Sequence, residues 1–196
     1  MTDWESVRYA VVDVEGNGQQ PPDLVELAVV PIVGGIIGQP ASWLVKPPRP
    51  ISLMATRIHG LTNKDVAEEP GFTDVEAQVR HALDTDALVA HNAHVDTGVL
   101  RRHLGEWQCP ETFDTLKLAR RLVPGQESYK LGALVAAFAL ANGLPAGLTP
   151  HRATYDALVT ARLFVHLATR QDTGPLSLGE LRGNEPGGDR DAPSLF

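Results

Sequence analysis

A chain of 196 residues with 43% hydrophobic and 21% charged side chains has ordinary globular usage and suits one domain with a sizeable core. Its formal net charge is −7, and residues 172–196 hold five acids against two arginines; such a domain does not coat itself with nucleic acid by counterion release, so a nucleic-acid substrate has to be held locally, by a short basic patch or by bound cations. The lone Cys109 excludes an intrachain disulfide, and with neither a signal-like start nor an apolar run of about 18 residues, the expectation is a soluble cytoplasmic protein without a membrane segment.

The first third reads as strands. RYAVVDVE (8–15) is short and β-branched, and LVELAVVPIV (24–33) and IIGQPASWLV (36–45) flank Gly34-Gly35, a dipeptide suited to a tight hairpin turn. PPRPIS then breaks the sheet, because proline supplies no ladder donor. From there helix and strand alternate. TDVEAQVRHAL (73–83) starts with Thr73 and Glu76 in capping-box spacing, ALVAH (87–91) is a buried strand, VDTGVLRRHL (95–104) is helical and ETFD (111–114) is a further strand. LGALVAAFALA (131–141) and ATYDALVTARLFVHLATR (153–170) complete the helices. Three antiparallel strands followed by helix-strand units predict an α/β domain with a mixed sheet covered by helices. The domain is expected over 1–170, and 171–196, rich in Gly, Pro and acids, as a largely disordered tail around a short helical piece at 178–182.

Acids stand where such a chain places sites. Asp13 and Glu15 share one face of the first strand, about 7 Å apart, and two like charges on a half-buried face call for a proton or a cation between them. Alone, the pair reads equally well as an exposed strand end leading into a turn. Strand carboxyl ends are where open α/β sheets build sites, and the next such end leads into a helix carrying Asp96, an acid that also serves the helix dipole. Asp156 falls early in the longest helix, with His151 five residues before it, able to act as a general base or to be plain surface. Four hard oxygen ligands from three segments favour Mg²⁺ or Mn²⁺, whereas His91 and His94 lack the Cys pair or second His pair that zinc would need.

VVDVEGNG (11–18), HNAHVDTGVL (91–100) and HRATYDA (151–157) resemble, in order, the three motifs of the DEDDh exonucleases, the superfamily of polymerase proofreading subunits, ribonuclease T and oligoribonuclease. IHGLT (58–62) and FDTLKLAR (113–120) match its secondary signatures, and the likeness spans about residues 8–169. His151 has the spacing of the His subtype; the Tyr subtype would carry tyrosine where this chain has Arg152. Gly16-Asn17 stands where the family usually has Thr, and Val95 where it often has Phe.

The resemblance implies a ribonuclease H-like fold, a five-stranded mixed sheet with three antiparallel strands and then parallel ones, flanked by helices. It implies two-metal 3′-5′ hydrolysis of DNA or RNA to nucleoside 5′-monophosphates, with two divalent cations, Mg²⁺ or Mn²⁺, on Asp13, Glu15, Asp96 and Asp156 and with His151 as general base. The terminal nucleotide is expected at Gly16, Asn17, Ile58, His59 and Leu61, although IHGLT also reads as a helix end closed by Gly60. Arg101, Arg102, Lys117, Arg120, Arg121 and Lys130 are able to guide the strand. The alternative function is a non-catalytic nucleic-acid or polymerase-associated adaptor. The closing SLF is similar to the end of sliding-clamp peptides, so Leu195 and Phe196 read either as an ordinary chain end or as a docking point for a polymerase or sliding clamp.

Overall fold

The first strand sets the frame. In β1 (Tyr9–Gly16), Tyr9 and Val11 face one helical layer and Ala10 and Val12 the other, as the period of two along a strand requires. The computed structural model describes residues 3–169 and 174–183; Leu195 and Phe196 lie outside the described residues. The valine-rich β2 (Leu24–Val33) runs antiparallel to β1, with Tyr9 opposite Ile32 and Glu15 opposite Glu26. The expected third strand is broken in two. β3 (Ile36–Ile37) and β4 (Ala41–Leu44) pair one after the other along β2, separated by Gly38-Gln39-Pro40, where proline offers no donor. The other edge of β1 takes β5 (Ala87–Ala90) in parallel, and β6 (Glu111–Asp114) follows in parallel on β5. The mixed sheet therefore has six strands by count, ordered β3-β2-β1-β5-β6 with β4 also on β2.

Seven α-helices are seen among the described residues. α1 (Leu53–His59) was legible in sequence only as its end: Gly60 caps it at φ 79°, the left-handed conformation glycine adopts freely. α2 (Phe72–Ala82) starts one residue before the expected Thr73. The capping box is also different: the Asp74 carboxylate accepts the Gly71 N–H at 2.9 Å, while Glu76 pairs with Arg80. α3 (His94–Leu104) and α2 cover one face of the sheet. α4 (Thr115–Leu122), α5 (Leu131–Ala137) and α6 (Ala153–Thr169) cover the other. α5 stops short of the expected Ala141, with Ala139 at φ 53° in the turns that follow.

Ala153, Ala157 and Ala161 are fully buried at helical spacing in α6, and side chains this small let the helix lie close against β1 and β2. α7 (Leu178–Leu181) realises the short helical piece expected in the tail. Leu176, Leu178 and Leu181 join the α6-side core, and Arg121 donates to the carbonyls of Glu180 and Leu181. Among the described residues, the core thus takes in this segment too. No helix among the described residues is long and apolar enough to cross a membrane.

Candidate active site

Asp13 and Glu15 continue the Tyr9–Val11 face of β1 beyond the core, toward α6. Its alanine face brings Asp156 down beside them, and ligand oxygens of Asp13, Glu15 and Asp156 all lie within 4.8 Å of one another. Asp96 stands next to this trio rather than in it. From the first turn of α3 its Oδ1 accepts the Val14 N–H at 3.0 Å, just past the point where the β1–β5 ladder ends at Val11.

The electrostatics are those of a site short of positive charge. Burial, and then Asp96, Asp156 and Glu15, hold the Asp13 carboxyl well above its usual range. Burial and Asp156 push Glu15 up to about 8. Asp96 is pushed up to about 7 by burial, against hydrogen bonds from its own and the Val14 N–H. Burial also raises Asp156, opposed by His151. Crowded carboxylates resist full ionisation unless a cation joins them. The donor set is all oxygen, which fits a hard divalent cation.

His151 is exposed and stands at φ 63°, its N–H donating to Asp156 Oδ2 at 3.1 Å. Asp13, His151 and Asp156 line a cavity of about 910 Å³ that Arg120, Tyr129 and Lys130 also line. His91 anchors the Tyr129 side of this cleft. Burial lowers its pKa, and its ring spans two oxygens: Nε2 lies 3.0 Å from the Tyr129 carbonyl and Nδ1 2.9 Å from the Thr115 hydroxyl. Of the other basic residues singled out, Arg102 binds Asp23 and Arg121 binds α7, while the Arg120 guanidinium lies 6.0 Å from the centre of the Tyr129 ring.

The expected nucleotide residues divide into two sets. Ile58 is open to solvent and shares the surface of α1 with Leu53 and Met54. Asn17, His59 and Leu61 are buried. Asn17 is wholly engaged: its amide donates to Asp23 and the Arg49 carbonyl and accepts from the N–H of Gln19 and Asp23. Its backbone N–H goes to the Asp23 carbonyl and its own carbonyl accepts from Ser52. His59 Nδ1 accepts the Leu61 N–H at 3.1 Å, and its other nitrogen faces the Gly16 carbonyl without reaching full hydrogen-bond geometry. Gly16 is half-buried, and a Cβ there would stand 3.1 Å from Pro22 Cβ.

Sequence reasoning missed one pair. Glu26, 5% exposed and opposite Glu15 in the β1–β2 register, accepts both Nε and Nη2 of Arg152 at 2.9 and 2.7 Å. The signal was present: Glu26 is a lone acid in the apolar run LVELAVV, the same anomaly that drew attention to Asp13 and Glu15.

The comparisons agree with this geometry. An exonuclease family model (RNase_T) matches residues 10–164. Exodeoxyribonuclease 10 of Escherichia coli K12 is 41% identical over 157 residues, covering 80% of this chain and 67% of that protein. The 3′-5′ exonuclease DinG of Bacillus subtilis is 34% identical over 167 residues, 82% of this chain but 17% of DinG. Among solved structures, Exonuclease X in complex with 5′-overhanging duplex DNA superposes with a TM-score of 0.72 at 37% identity, covering 88% of this chain and 98% of that one. E. coli Exonuclease I with a dA16 oligonucleotide, at TM-score 0.69 and 20% identity over 84% of this chain and 41% of that one, shares the fold. The sheet is thus the ribonuclease H-like sheet of those exonucleases, its acidic end is a candidate divalent-metal site, and the chain belongs to the exonuclease family.

Proposed function

We propose that this protein is a DEDDh-type 3′-5′ exonuclease that removes nucleoside 5′-monophosphates from the 3′ end of DNA or RNA. The observation that carries the reading is the convergence of Asp13, Glu15 and Asp156 within 4.8 Å, beside a His151 whose backbone Asp156 holds. The 3′-5′ polarity is supported by the DinG relative, a 3′-5′ exonuclease. DNA as a substrate is supported by the duplex bound in the Exonuclease X structure.

Asp13, Glu15 and Asp156, with Asp96 beside them, would hold two divalent cations, Mg²⁺ or Mn²⁺. When bound, the ions supply Lewis-acid activation of the attacking water and charge stabilisation of the scissile phosphate. The chain's own part is proton handling and orientation. His151, solvent-accessible on its loop, takes the proton from the attacking water. Gly16 and Ile58 face the terminal nucleotide, and Asn17, His59 and Leu61 form the support behind them. Arg120 and Lys130, on the same cleft, offer positive charge to the strand leading in.

The test is digestion of matched 5′-labelled DNA and RNA strands with Mn²⁺, resolving the products by length. A ladder shortening from the 3′ end is the expected result, and internal cuts would refute it. An adaptor that only binds nucleic acid would leave both strands intact.

A further inference from the structure

We infer that the Glu26–Arg152 pair is a positioning device for His151, acting on the proton-transfer step and not on metal or substrate binding; this rests on the exonuclease reading above. The neighbours of Glu26 on the same face of β2 are Ala28 and Val30, both fully buried in the core. An acid is costly in such a place unless it is paired and hydrogen-bonded. Here both its oxygens are engaged. Oε1 accepts from Arg152 Nη2 at 2.7 Å, and Oε2 accepts from Arg152 Nε at 2.9 Å and from the Ala153 N–H at 3.1 Å.

These bonds grip the two residues that follow His151. On the other side, the His151 N–H is held by Asp156 Oδ2 at 3.1 Å. Between the two anchors His151 adopts φ 63°, a conformation that a residue with a side chain keeps only where its surroundings over-determine it. The imidazole itself makes no hydrogen bond among the described residues, so its direction depends on the backbone that carries it. What fixes the backbone at 151–153 therefore fixes the base. Arg152 stands four residues before Asp156 and turns to β2, so its bidentate fork serves as a strut between strand and loop.

Glu26→Gln, Arg152→Lys, His151→Ala and the double variant Glu26→Gln/His151→Ala test this in the full chain, with a 5′-labelled oligonucleotide and Mn²⁺. Glu26→Gln should lower kcat about 10- to 100-fold, the scale of a misplaced catalytic group, with KM and Mn²⁺ affinity by calorimetry within about twofold. Arg152→Lys keeps the charge and loses the fork, so its kcat should fall between the two and provides the test should Glu26→Gln not fold. In the His151→Ala background, Glu26→Gln should cost less than about twofold, because the group it aims is gone.

An equal loss in both backgrounds, a matching fall in Mn²⁺ affinity, or wild-type kcat in Glu26→Gln or in a folded Arg152→Lys would overturn the inference. Hydrogen exchange of the His151 amide gives a readout free of turnover: it should lose protection in Glu26→Gln. A wild-type protein without nuclease activity whose His151 amide still loses protection in Glu26→Gln would retire the exonuclease reading while leaving the strut in place.

Discussion

Asp96 Oδ1 accepts the backbone N–H of Val14 at 3.0 Å, so the second-motif acid is tied to the strand segment between Asp13 and Glu15. The parallel ladder with β5 runs only from Tyr9 to Val11, and Asp96 takes up a donor that β5 no longer reaches. Structure and charge are therefore separable at this residue. Asp96→Asn keeps an oxygen for Val14, so it should melt no lower than wild type without metal while turnover falls about 10- to 100-fold. Asp96→Ala leaves the N–H without a partner and should also lose about 1–3 kcal/mol of stability. Equal melting temperatures for the two variants would contradict this division.

Glu15, held up to about 8, and Asp96, held up to about 7, make the metal-free protein sensitive to pH. Their folded pKa values exceed those of the unfolded chain, near 4. The folded state then binds more protons than the unfolded one between about pH 4 and 8, and stability falls as pH rises through that window. Melting scans in a chelator should show a lower melting temperature at pH 8 than at pH 5. Mn²⁺ should restore more at pH 8 than at pH 5 and should release protons on binding. Asp13→Asn should raise the chelated melting temperature at pH 8 by about 2–4 °C, equivalent to about 1 kcal/mol in a domain of this size. A flat pH profile in chelator would show that the acids do not repel as the structure implies.

The sheet was legible from alternation and from Gly34-Gly35 because these are local signals. The acidic trio was legible because acids in apolar surroundings are anomalous one at a time. Glu26 carried the same anomaly, but its partner is 126 positions away, and no periodicity links a strand to the loop before a distant helix. α1 was readable only by its Gly60 end, since Leu53, Met54 and Ile58 are exposed and an outward apolar face breaks the pattern that reveals surface helices. The burial of Asn17 and His59 was hidden for a further reason. Burial, not residue type, decides whether a polar side chain meets ligand or scaffold.

His151 and Asp13 should fail in different ways. His151→Ala removes no ligand of the trio, so Mn²⁺ binding should stay within about twofold while turnover falls about 10²–10⁴-fold, the usual contribution of a general base. Asp13→Ala should abolish metal-dependent cleavage and weaken Mn²⁺ binding without unfolding the chain. Calorimetry and single-turnover cleavage on both variants separate the roles, and full activity in either would remove the assignment.

Leu53, Met54 and Ile58 are 80%, 73% and 54% exposed on α1. Apolar groups this open add little to the fold, so Ile58→Ala should change stability by less than about 0.5 kcal/mol. A base that packs on Ile58 would lose that surface, and KM should rise about 3- to 10-fold with kcat nearly unchanged. Unchanged KM would move the terminal nucleotide away from α1.

Asn17 is a buried polar residue at the centre of the loop that follows β1. Its amide nitrogen donates to Asp23 at 2.8 Å and to the Arg49 carbonyl at 3.2 Å, and its oxygen accepts from Gln19 and Asp23 at 3.1 and 2.9 Å. Asp23 is in turn held by Arg49 and Arg102, and the Arg49 hydrogen bond keeps its carboxyl below the usual range. The Asn17 carbonyl accepts the N–H of Ser52, the residue that caps α1. The Asn17 side chain thus closes the loop after β1, and its backbone carbonyl ties that loop to the helix that presents Ile58. Asn17→Ala strands several buried groups at once and should cost about 2–3 kcal/mol, lowering the melting temperature by about 4–12 °C. The backbone bond to Ser52 survives the substitution, but the loop that carries it loses its side-chain anchors, so below that temperature KM should rise about tenfold while kcat at saturating substrate stays within about threefold. Asn17→Asp retains the acceptor but sets a second carboxylate against Asp23, so it should fare no better. A KM unchanged in both variants would mean that the loop supports the fold alone and has no part in holding the substrate end.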